Sequence, residues 1–352
     1  MKPKISIALC TYNGAKFLSS QLESYLVQTR RPDEVVVCDD RSNDQTVGIL
    51  KAFAERAPFL VRVLVNDQNL GSTKNFEKAI SLCSGEFIFL SDQDDIWNPD
   101  KIEKMVGAFE NDPDVGLVFS DVELVDESST IEEKTLFSDS LSLKEREMIE
   151  NGDLFSVLLN RDVVIGGAMS FRSKYSDYIL PIPSDIPIMI HDGWIAMAVS
   201  AITKTVFLDQ PLIKYRQHAG QQTGVTNYIP GVFKLSWKEA MGKGELKHKI
   251  RKERLESFNK HFNSNLDIPG DKLKALKEEI RYQQEYARHY RLRKELSDNH
   301  TKRLWPVVGE LLSGRYHRFS NGIRSAARDM IVDHEQETEF YEIIDIRKTE
   351  IN

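Results

Sequence analysis

Three aspartates follow an apolar run in the stretch FIFLSDQDDIWNPDKI, which spans residues 87–102. Asp92, Asp94 and Asp95 lie at the end of what reads as a buried strand. Carboxylates this close together repel one another and cost free energy unless a cation, a proton or water relieves them. Hard oxygen ligands suit Mg²⁺ or Mn²⁺, and such ions typically bind one or two carboxylates together with substrate phosphates.

A second pair of acids ends another apolar run. Asp39 and Asp40 close the strand in DEVVVCDDRSND, residues 33–44. Open α/β sheets bind ligands at the carboxyl ends of their parallel strands, so both acidic groups would stand at one edge. The alternative is a solvated turn whose acids cap the helix that begins near Pro99. The position after a buried strand, facing a second acid pair, favours a site for a metal and a phosphate compound.

Short β-branched runs alternate with segments of helical apolar spacing through the first 120 residues. This alternation predicts an α/β fold with a Rossmann-like, mostly parallel sheet flanked by helices. A further helix is predicted for HDGWIAMAVSAI, residues 191–202. The predicted strands are residues 4–14, 33–44, 60–67, 86–92, 114–126, 164–172 and 205–218.

The composition changes beyond Pro230. Residues 236–305 hold 18 Lys or Arg against 11 Asp or Glu, whereas the whole chain has a net charge of -7. We therefore expect a catalytic domain over residues 1–230 and a helical C-terminal region over residues 231–352. The acidic balance gives no reason to expect a nucleic-acid partner.

Three cysteines without metal-type or redox-type spacing, Cys10, Cys38 and Cys83, indicate reduced core residues. Neither a signal peptide nor a membrane span is indicated. We expect a cytoplasmic protein, with peripheral contact at the inner face of the cell membrane as a further prediction.

Two common nucleotide-binding patterns are missing. A dinucleotide site needs a G-x-G-x-x-G turn after the first strand, but the chain has CTYNGAKF there, with one glycine. A G-x-x-x-x-G-K-[ST] loop does not occur either. The absence of both motifs argues against a dehydrogenase and against a P-loop protein.

Several blocks in order resemble the family 2 nucleotide-sugar glycosyltransferases with the GT-A fold. The resemblance covers residues 4 to 225. Its blocks are SIALCTYNGAKFLSSQLESYLVQTRRPDEVVVCDDRSNDQT, NLGSTKNFEKAI, GEFIFLSDQDDIWNPDKI, GGAMSFR and HDGWIAMAVSA. The forms SDQDDIW, HDGW and YRQH look most like bacterial rhamnosyltransferases of surface-polysaccharide synthesis.

The resemblance implies roles for residues at the strand ends. Asp92 and Asp94 match the D-x-D that contacts the ribose and the metal on the diphosphate. Arg41 replaces the glycine of the usual D-D-G-S form. Arg216 suits a diphosphate, and His218 assists it as a third candidate metal ligand. The remaining candidates for donor binding are Thr11, Tyr12, Asn13, Asp39, Asp40, Asn69, Gly71, Lys74 and Asn75.

Asp192 in HDGW matches the family's catalytic base. Its structural alternative is a simple helix cap. Gly167, His191 and Trp194 are candidates for the acceptor side, Trp194 being a core residue in the alternative interpretation. The resemblance implies an inverting transfer, dependent on Mn²⁺ or Mg²⁺, from a nucleoside diphosphate sugar to a saccharide or lipid-linked acceptor.

The favoured donor is dTDP-L-rhamnose, by resemblance alone. A UDP-hexose or UDP-N-acetylhexosamine transferase is the closest alternative, and a catalytically silent sugar-nucleotide binding module is another. A nucleotidyltransferase would need a Gly-rich, basic loop after the first strand, which CTYNGAKF lacks.

A basic amphipathic run, GRYHRFSNGIRSAARDMIV, occupies residues 314–332. Segments of this kind lie on anionic membranes or form solvated helix faces. We expect this segment to make the peripheral membrane contact, with Tyr316 and Phe319 among its apolar residues.

Overall fold

The computed structural model describes residues 4–187, 189–218, 230–263, 268–297, 299–331 and 337–343. The chain forms two compact units. The first comprises Met1–Gln221 and His261–Leu273, and the second comprises Gln222–Lys260 and Lys274–Asn352.

The first unit is built on one sheet of nine strands in the order β3-β2-β1-β4-β8-β6-β9-β5, with β7 beside β6. The strands β10 and β11 pair separately and antiparallel. The strands are β1 (Ile5–Thr11), β2 (Glu34–Asp39), β3 (Leu60–Val65), β4 (Phe87–Ser91), β5 (Ile96–Trp97), β6 (Val115–Val125), β7 (Ile131–Thr135), β8 (Met169–Arg172), β9 (Lys204–Arg216), β10 (Pro230–Ser236) and β11 (Glu337–Ile343).

Helices connect the strands in the first unit and dominate the second. They are α1 (Leu18–Leu26), α2 (Thr46–Arg56), α3 (Ser72–Leu82), α4 (Lys101–Asn111), α5 (Leu136–Ser140), α6 (Leu143–Glu150), α7 (Leu154–Leu158), α8 (Ser176–Ile179), α9 (His191–Ile202), α10 (Trp237–Asn263), α11 (Gly270–Lys294), α12 (His300–Leu312), α13 (Arg315–Phe319) and α14 (Ile323–Ile331). Short 3₁₀ turns occupy Gly166–Ala168 and Ser173–Tyr175.

The first four strands are parallel, as the alternating pattern predicts. The register sets Thr11 of β1 opposite Asp39 of β2, and Leu9 opposite Ser91 of β4. The loops that follow β1, β2 and β4 therefore emerge at one edge of the sheet. Beyond β4 the sheet is mixed, since β8 runs antiparallel to both β4 and β6.

Apolar side chains fill both faces of the central strands. Every residue of β1, β2 and β4 is buried, which matches their nearly continuous apolar sequence. Polar bonds fix α1 against β4, because Ser91 Oγ accepts from Gln21 Nε2 at 2.9 Å and lies 2.7 Å from the Tyr25 hydroxyl. The three cysteines are free, as predicted.

The second unit has its own small apolar core, formed by Leu296, Val307, Tyr316 and Ala326. A bidentate ion pair lies beside it, with Arg293 donating to Asp329 at 2.6 and 3.0 Å. Among the residues with a described structure, no helix combines the length and the apolar character needed to cross a membrane.

Candidate active site

The ends of β1 and β2 are joined by hydrogen bonds to Asp39. Thr11 Oγ1 donates to Asp39 Oδ2 at 2.8 Å. The backbone N–H and the hydroxyl of Ser42 also donate to this carboxylate, at 2.8 and 2.6 Å. Asp39 is fully buried. Its hydrogen bonds therefore hold the end of β1 and the turn that follows β2 in fixed positions.

Asp40 holds the turn that precedes α3. Its carboxylate accepts from the backbone N–H groups of Leu70 and Gly71 at 2.7 and 2.9 Å, and from Asn66 Nδ2 at 2.9 Å. Asn69 Oδ1 also accepts from the Gly71 N–H, at 3.1 Å. The φ of Gly71 is +78°, a conformation that favours glycine. The predicted donor residues Asp40, Asn69 and Gly71 are therefore brought together.

Gln93 links the loop after β4 to the loop after β1. Its Oε1 accepts from the backbone N–H of Tyr12 at 2.8 Å, and its Nε2 donates to the Tyr12 carbonyl at 3.0 Å. The Tyr12 ring itself is half exposed. Asn13 accepts from the backbone N–H of Asn43 at 2.9 Å. Sequence reasoning did not identify Gln93, since the middle residue of a D-x-D gives no signal of its own.

Two predicted donor residues have structural partners instead. Asn75 is buried and donates to the Cys38 carbonyl at 2.8 Å. Lys74 donates to Glu77 and to the Ile182 carbonyl, both at 2.8 Å. In this structure Asn75 secures α3 against the sheet, and Lys74 secures the segment at Ile182. Both residues thus have structural partners within the described chain, and their contact with the donor stays a prediction.

The acidic cluster surrounds the turn at Gly166 and Gly167. A Cβ atom added to Gly166 would lie 3.5 Å from Asp192 Cβ and 3.9 Å from Asp92 Oδ2. A Cβ added to Gly167 would lie 2.8 Å from Asp95 Oδ2 and 3.7 Å from Asp92 Oδ2. A side chain at Gly167 would meet the Asp95 carboxylate too closely, so glycine is required there, and the turn lies between Asp192 and the aspartates that follow β4.

Close packing of acids changes their protonation. Burial, together with the negative charges of Asp94 and Asp192, raises the pKa of Asp92 to about 8. Burial and the Asp94 charge also raise the pKa of Asp95. The Oδ2 atom of Asp95 is buried and has no hydrogen-bond partner within the described chain. A cation entering this cluster would therefore meet at least one oxygen atom, Asp95 Oδ2, that no group of the described chain satisfies.

Lys101 is a buried cation beside this cluster, and sequence reasoning missed it. Its Nζ donates to the Gly167 carbonyl and lies 3.9 Å from the centroid of the Trp97 ring. Burial lowers the pKa of Lys101 to about 7, although Asp95 and Asp92 oppose this shift. The side chain therefore anchors the glycine turn and faces the carboxylates.

Asp94 lies beside His218, with 2.8 Å between Asp94 Oδ2 and His218 Nε2. Arg216 donates from Nε to the Asp94 carbonyl at 2.9 Å, and from Nη1 to the Glu127 carbonyl and to Ser129 Oγ at 2.9 Å. Arg216 is buried. It thus fixes the backbone of Asp94, where the sequence predicted contact with a diphosphate.

The side chains at this site suit a divalent cation whose remaining coordination positions are filled by a bound ligand. Within the part of the chain that the structure describes, no three His, Cys, Asp or Glu side chains are grouped so as to hold a metal ion by themselves. Asp94 and His218 provide one carboxylate and one imidazole, which Mn²⁺ accepts together with phosphate oxygens and water. Asp92, the third predicted ligand, faces Gly166, Gly167 and Asp192.

Asp192 stands in the first turn of α9, and the cap position belongs to Ile190. Asp192 is therefore not itself the N-cap residue of α9. Its Oδ1 accepts from the Gly193 N–H at 2.6 Å. The free N–H groups of a helix start favour a carboxylate at this position.

His191 packs beneath Asp192. Its ring stacks on Phe76 with centroids 3.9 Å apart, and neither ring nitrogen has a hydrogen-bond partner among the described residues. Burial lowers its pKa to about 3, so the ring is neutral near pH 7. Its Nε2 would lie 3.2 Å from a Cβ at Gly166, which shows that it shapes the same turn.

Trp194 is a core residue. It is buried, its Nε1 donates to the Ile179 carbonyl at 2.8 Å, and its ring meets Phe262 edge-on at 5.8 Å. These contacts satisfy the indole N–H inside the first unit. We therefore correct the expectation that Trp194 contributes to the acceptor side.

Comparison with known proteins identifies the class. The model of glycosyl transferase family 2 matches residues 6–179, and the chain belongs to this family. An uncharacterized glycosyltransferase of Nostoc sp. is 27% identical over 245 residues, which cover 67% of this chain and 70% of that protein. Two further curated relatives are covered over 45% and 59% of their lengths.

Solved structures match the fold. S. aureus TarS 1-349 in complex with UDP-GlcNAc has a TM-score of 0.51 at 18% identity, with 97% of this chain and 100% of that chain covered. The mannosyltransferase PcManGT from Pyrobaculum calidifontis, in complex with GDP-Man and Mn²⁺, has a TM-score of 0.52 at 15% identity, with 95% and 89% covered. The GT-A fold predicted from the sequence is confirmed, and nucleotide-sugar transfer is the class of reaction.

Proposed function

We propose that this chain is an inverting glycosyltransferase that depends on a divalent cation. It moves a sugar from a nucleoside diphosphate to a hydroxyl group of a saccharide or lipid-linked acceptor. The observation that carries the proposal is the convergence of Asp92, Asp95 and Asp192 around the Gly166–Gly167 turn. This arrangement places Asp192, the candidate general base, beside the aspartates that follow β4.

The nucleoside binds at the shared edge of β1 and β2. Asp39 and Asp40 keep the two turns in place, and the exposed ring of Tyr12 offers a surface against which a base can stack. Thr11, hydrogen-bonded to Asp39, borders the same edge. Donor binding then depends on turns that protein hydrogen bonds have already ordered.

The diphosphate lies over the end of β4. Asp94 and His218 hold the divalent cation, with Asp92 beside them. When bound, this ion neutralises the negative charge that builds on the leaving diphosphate. Arg216 keeps the Asp94 backbone fixed through its bond to the carbonyl, so the carboxylate does not have to be ordered when the donor arrives.

Asp192 takes the proton from the acceptor hydroxyl. A hydroxyl is a weak nucleophile, and a carboxylate within hydrogen-bond reach makes it reactive as the new bond forms. Attack comes from the face of the sugar opposite the leaving diphosphate, so the anomeric centre inverts. The neutral ring of His191 and the glycine turn leave the space in which the acceptor can approach Asp192.

The structural neighbours support the nucleotide-sugar donor and the cation. TarS was solved with UDP-GlcNAc, and the Pyrobaculum enzyme with GDP-Man and Mn²⁺. The donor favoured here is dTDP-L-rhamnose, because SDQDDIW, HDGW and YRQH resemble the rhamnosyltransferase branch of the family. A UDP-hexose donor is the alternative that a direct comparison must test.

A thermal-shift screen of nucleotide sugars, with and without Mn²⁺, tests the proposal. The probes are dTDP-rhamnose, UDP-galactose, UDP-GlcNAc and GDP-mannose. A donor present at 100 times its Kd stabilises the folded state by about 2.7 kcal/mol. We expect dTDP-rhamnose to give the largest shift, and only with Mn²⁺. Equal shifts with and without the ion contradict the cation site. A larger shift with a UDP sugar would identify that sugar as the donor in place of dTDP-rhamnose.

Turnover separates an enzyme from a silent binding module. The donor that shifts the melting temperature is incubated with candidate saccharide acceptors, and the anomeric configuration of the product is read by NMR. Inversion supports the direct attack described above. Retention overturns that step, and donor binding without any transfer to these acceptors favours the binding module.

A further inference from the structure

The second unit leaves one face of α12 apolar and exposed. Leu304, Val308 and Leu312 are spaced four residues apart, and Trp305 adjoins them on the helix surface. Trp305 is 78% exposed and Leu312 is 83% exposed. The face toward the core is different and carries Val307. Trp305 and Leu312 are therefore not needed to hold the unit together.

Helix α14 has the same character. Ile323, Ala327 and Ile331 recur every four residues, and all three are exposed. Ser325, Ala326 and Asp329 are the buried positions of this helix. The two helices pack against each other, because Val307 of α12 and Ala326 of α14 share one core cluster. Each helix thus buries one face and leaves an apolar row on another.

The exposed charges around these rows have one sign. Every exposed Asp, Glu, Lys or Arg in residues 300–331 is a cation, namely Lys302, Arg318, Arg324 and Arg328. The acids of this segment, Glu310 and Asp329, are both buried, and they accept from Arg315 and Arg293. Arg318 also pairs with Glu285 of α11 at 2.8 Å, so the positive charge beside the apolar rows comes mainly from Lys302, Arg324 and Arg328.

We propose that α12 and α14 dock on an anionic lipid surface. Trp305, Leu312, Ile323 and Ile331 enter the boundary between headgroups and acyl chains, while the long cationic side chains reach the lipid phosphates. Lipid fits better than a second copy of this chain, since two copies would bring like charges together. Each Lys or Arg near such a surface contributes about 1 kcal/mol of attraction.

This assignment changes which residues of the C-terminal segment meet the membrane. Tyr316 and Phe319, expected from the sequence to be lipid-facing, are buried in the second unit. Arg315 is paired with Glu310 at 2.6 Å. The lipid-facing residues are instead the exposed rows of α12 and α14, half of which precede the basic run. The proposal does not depend on the identity of the donor sugar.

Vesicle co-sedimentation of the full chain tests the proposal. We expect binding to vesicles of equal parts phosphatidylcholine and phosphatidylglycerol, and weak binding to phosphatidylcholine alone. The double variant Trp305→Glu, Leu312→Glu lowers the partition coefficient at least about tenfold. The double variant Lys302→Gln, Arg324→Gln lowers it about thirtyfold, and high salt weakens wild-type binding in the same way.

Matched variants elsewhere in the chain test whether the loss of vesicle binding is specific to the exposed rows of α12 and α14, and not a general effect of removing an exposed apolar or charged side chain. Leu143, which is 89% exposed in the first unit, is changed to Glu as the apolar control. Lys51 and Lys277, both exposed, are changed to Gln as the charge control. Both controls should bind vesicles as the wild type does.

Two measurements distinguish docking on lipid from docking on a second copy of this chain. Lipids with brominated acyl chains should quench wild-type tryptophan fluorescence more than that of Trp305→Phe, which keeps an apolar ring. Equal quenching in both, or vesicle binding unchanged in the two double variants, overturns the proposal. A dimer in sedimentation equilibrium that Leu312→Glu dissociates assigns the surface to a second copy and overturns it as well.

Discussion

The Nε2 atom of His218 lies 2.8 Å from Oδ2 of Asp94. Adjacent ligands on one octahedral ion, with bonds of about 2.1 Å, stand about 3 Å apart. The 2.8 Å separation is that of a hydrogen bond and is also compatible with the proposed cation, although the two residues are far apart in the chain. Arg216 of β9 reinforces the arrangement from the Asp94 backbone.

Loss of either Asp94 or His218 should weaken binding of the cation. We expect His218→Ala and Asp94→Asn each to raise the Kd for Mn²⁺ about tenfold or more in the presence of a nucleoside diphosphate. The free Mn²⁺ signal in electron paramagnetic resonance measures this affinity without turnover. His317→Ala, an exposed histidine of the second unit, is the control. An unchanged Kd in His218→Ala would remove His218 from the site.

A methyl group at Gly167 should disturb the glycine turn. Its Cβ would lie 2.8 Å from Asp95 Oδ2 and 3.0 Å from Ile213 Cδ1. We expect Gly167→Ala to lose about 1–3 kcal/mol in the free energy of unfolding, measured by urea denaturation, and to lower kcat. Gly107→Ala, where no atom lies within 4 Å, should instead gain about 0.5–1 kcal/mol in α4. Equal stability of the two variants would contradict the packing described for the turn.

Arg41 occupies a turn that glycine would fill with less strain. Its φ is +64°, in the left-handed region that costs a non-glycine residue about 1 kcal/mol. We expect Arg41→Gly to raise the free energy of unfolding by about 0.5 kcal/mol, because relief of strain exceeds the added chain entropy. Arg41→Ala keeps the β-carbon and should show no gain. If both variants gain alike, the charge and not the backbone is responsible.

Glu310 should make the second unit sensitive to acid. Burial alone raises its pKa, but hydrogen bonds from His289 at 3.0 Å and from Arg315 outweigh that effect and lower the pKa to about 2. Its ordinary value is 4.5. A carboxyl group with a lowered folded pKa adds stability above the unfolded value, and this stability disappears as the pH falls from 4.5 toward 2.

Replacement of Glu310 tests that dependence. We expect Glu310→Gln to lose about 2 kcal/mol at pH 7 and less as the pH falls, since the wild type itself loses this contribution in acid. Urea denaturation followed by a signal from the second unit measures both. Glu278→Gln, at an exposed position, is the control. A difference between Glu310→Gln and the wild type that is constant from pH 7 to pH 3 would contradict the assignment.

Local patterns predicted much of the first unit. Strands ending in Asp39 and Ser91 were visible as apolar runs followed by acids, and their parallel pairing follows from the alternation of strands and helices. The helix that begins at His191 was equally clear. The antiparallel course of β8 was not, because a strand's direction in a mixed sheet depends on partners distant in sequence.

The partners of polar side chains were harder to predict. Arg216 was expected at a diphosphate, and the structure shows bonds from it to backbone carbonyls, while Lys101, which is fully buried beside the acidic cluster, was not identified from the sequence. A lysine or arginine has the same sequence signature in either role. Which carbonyl or carboxylate it reaches is decided by tertiary packing, which periodicity does not record.

Turnover by Asp192→Asn is the decisive measurement for the proposed role of Asp192 as the general base. The change keeps the shape of the side chain and removes its ability to accept a proton. We expect kcat to fall about 10²- to 10⁴-fold, while the thermal shift caused by the donor with Mn²⁺ stays as in the wild type. Asp177→Asn, at an exposed position of α8, should keep full activity. Full turnover by Asp192→Asn would contradict the account.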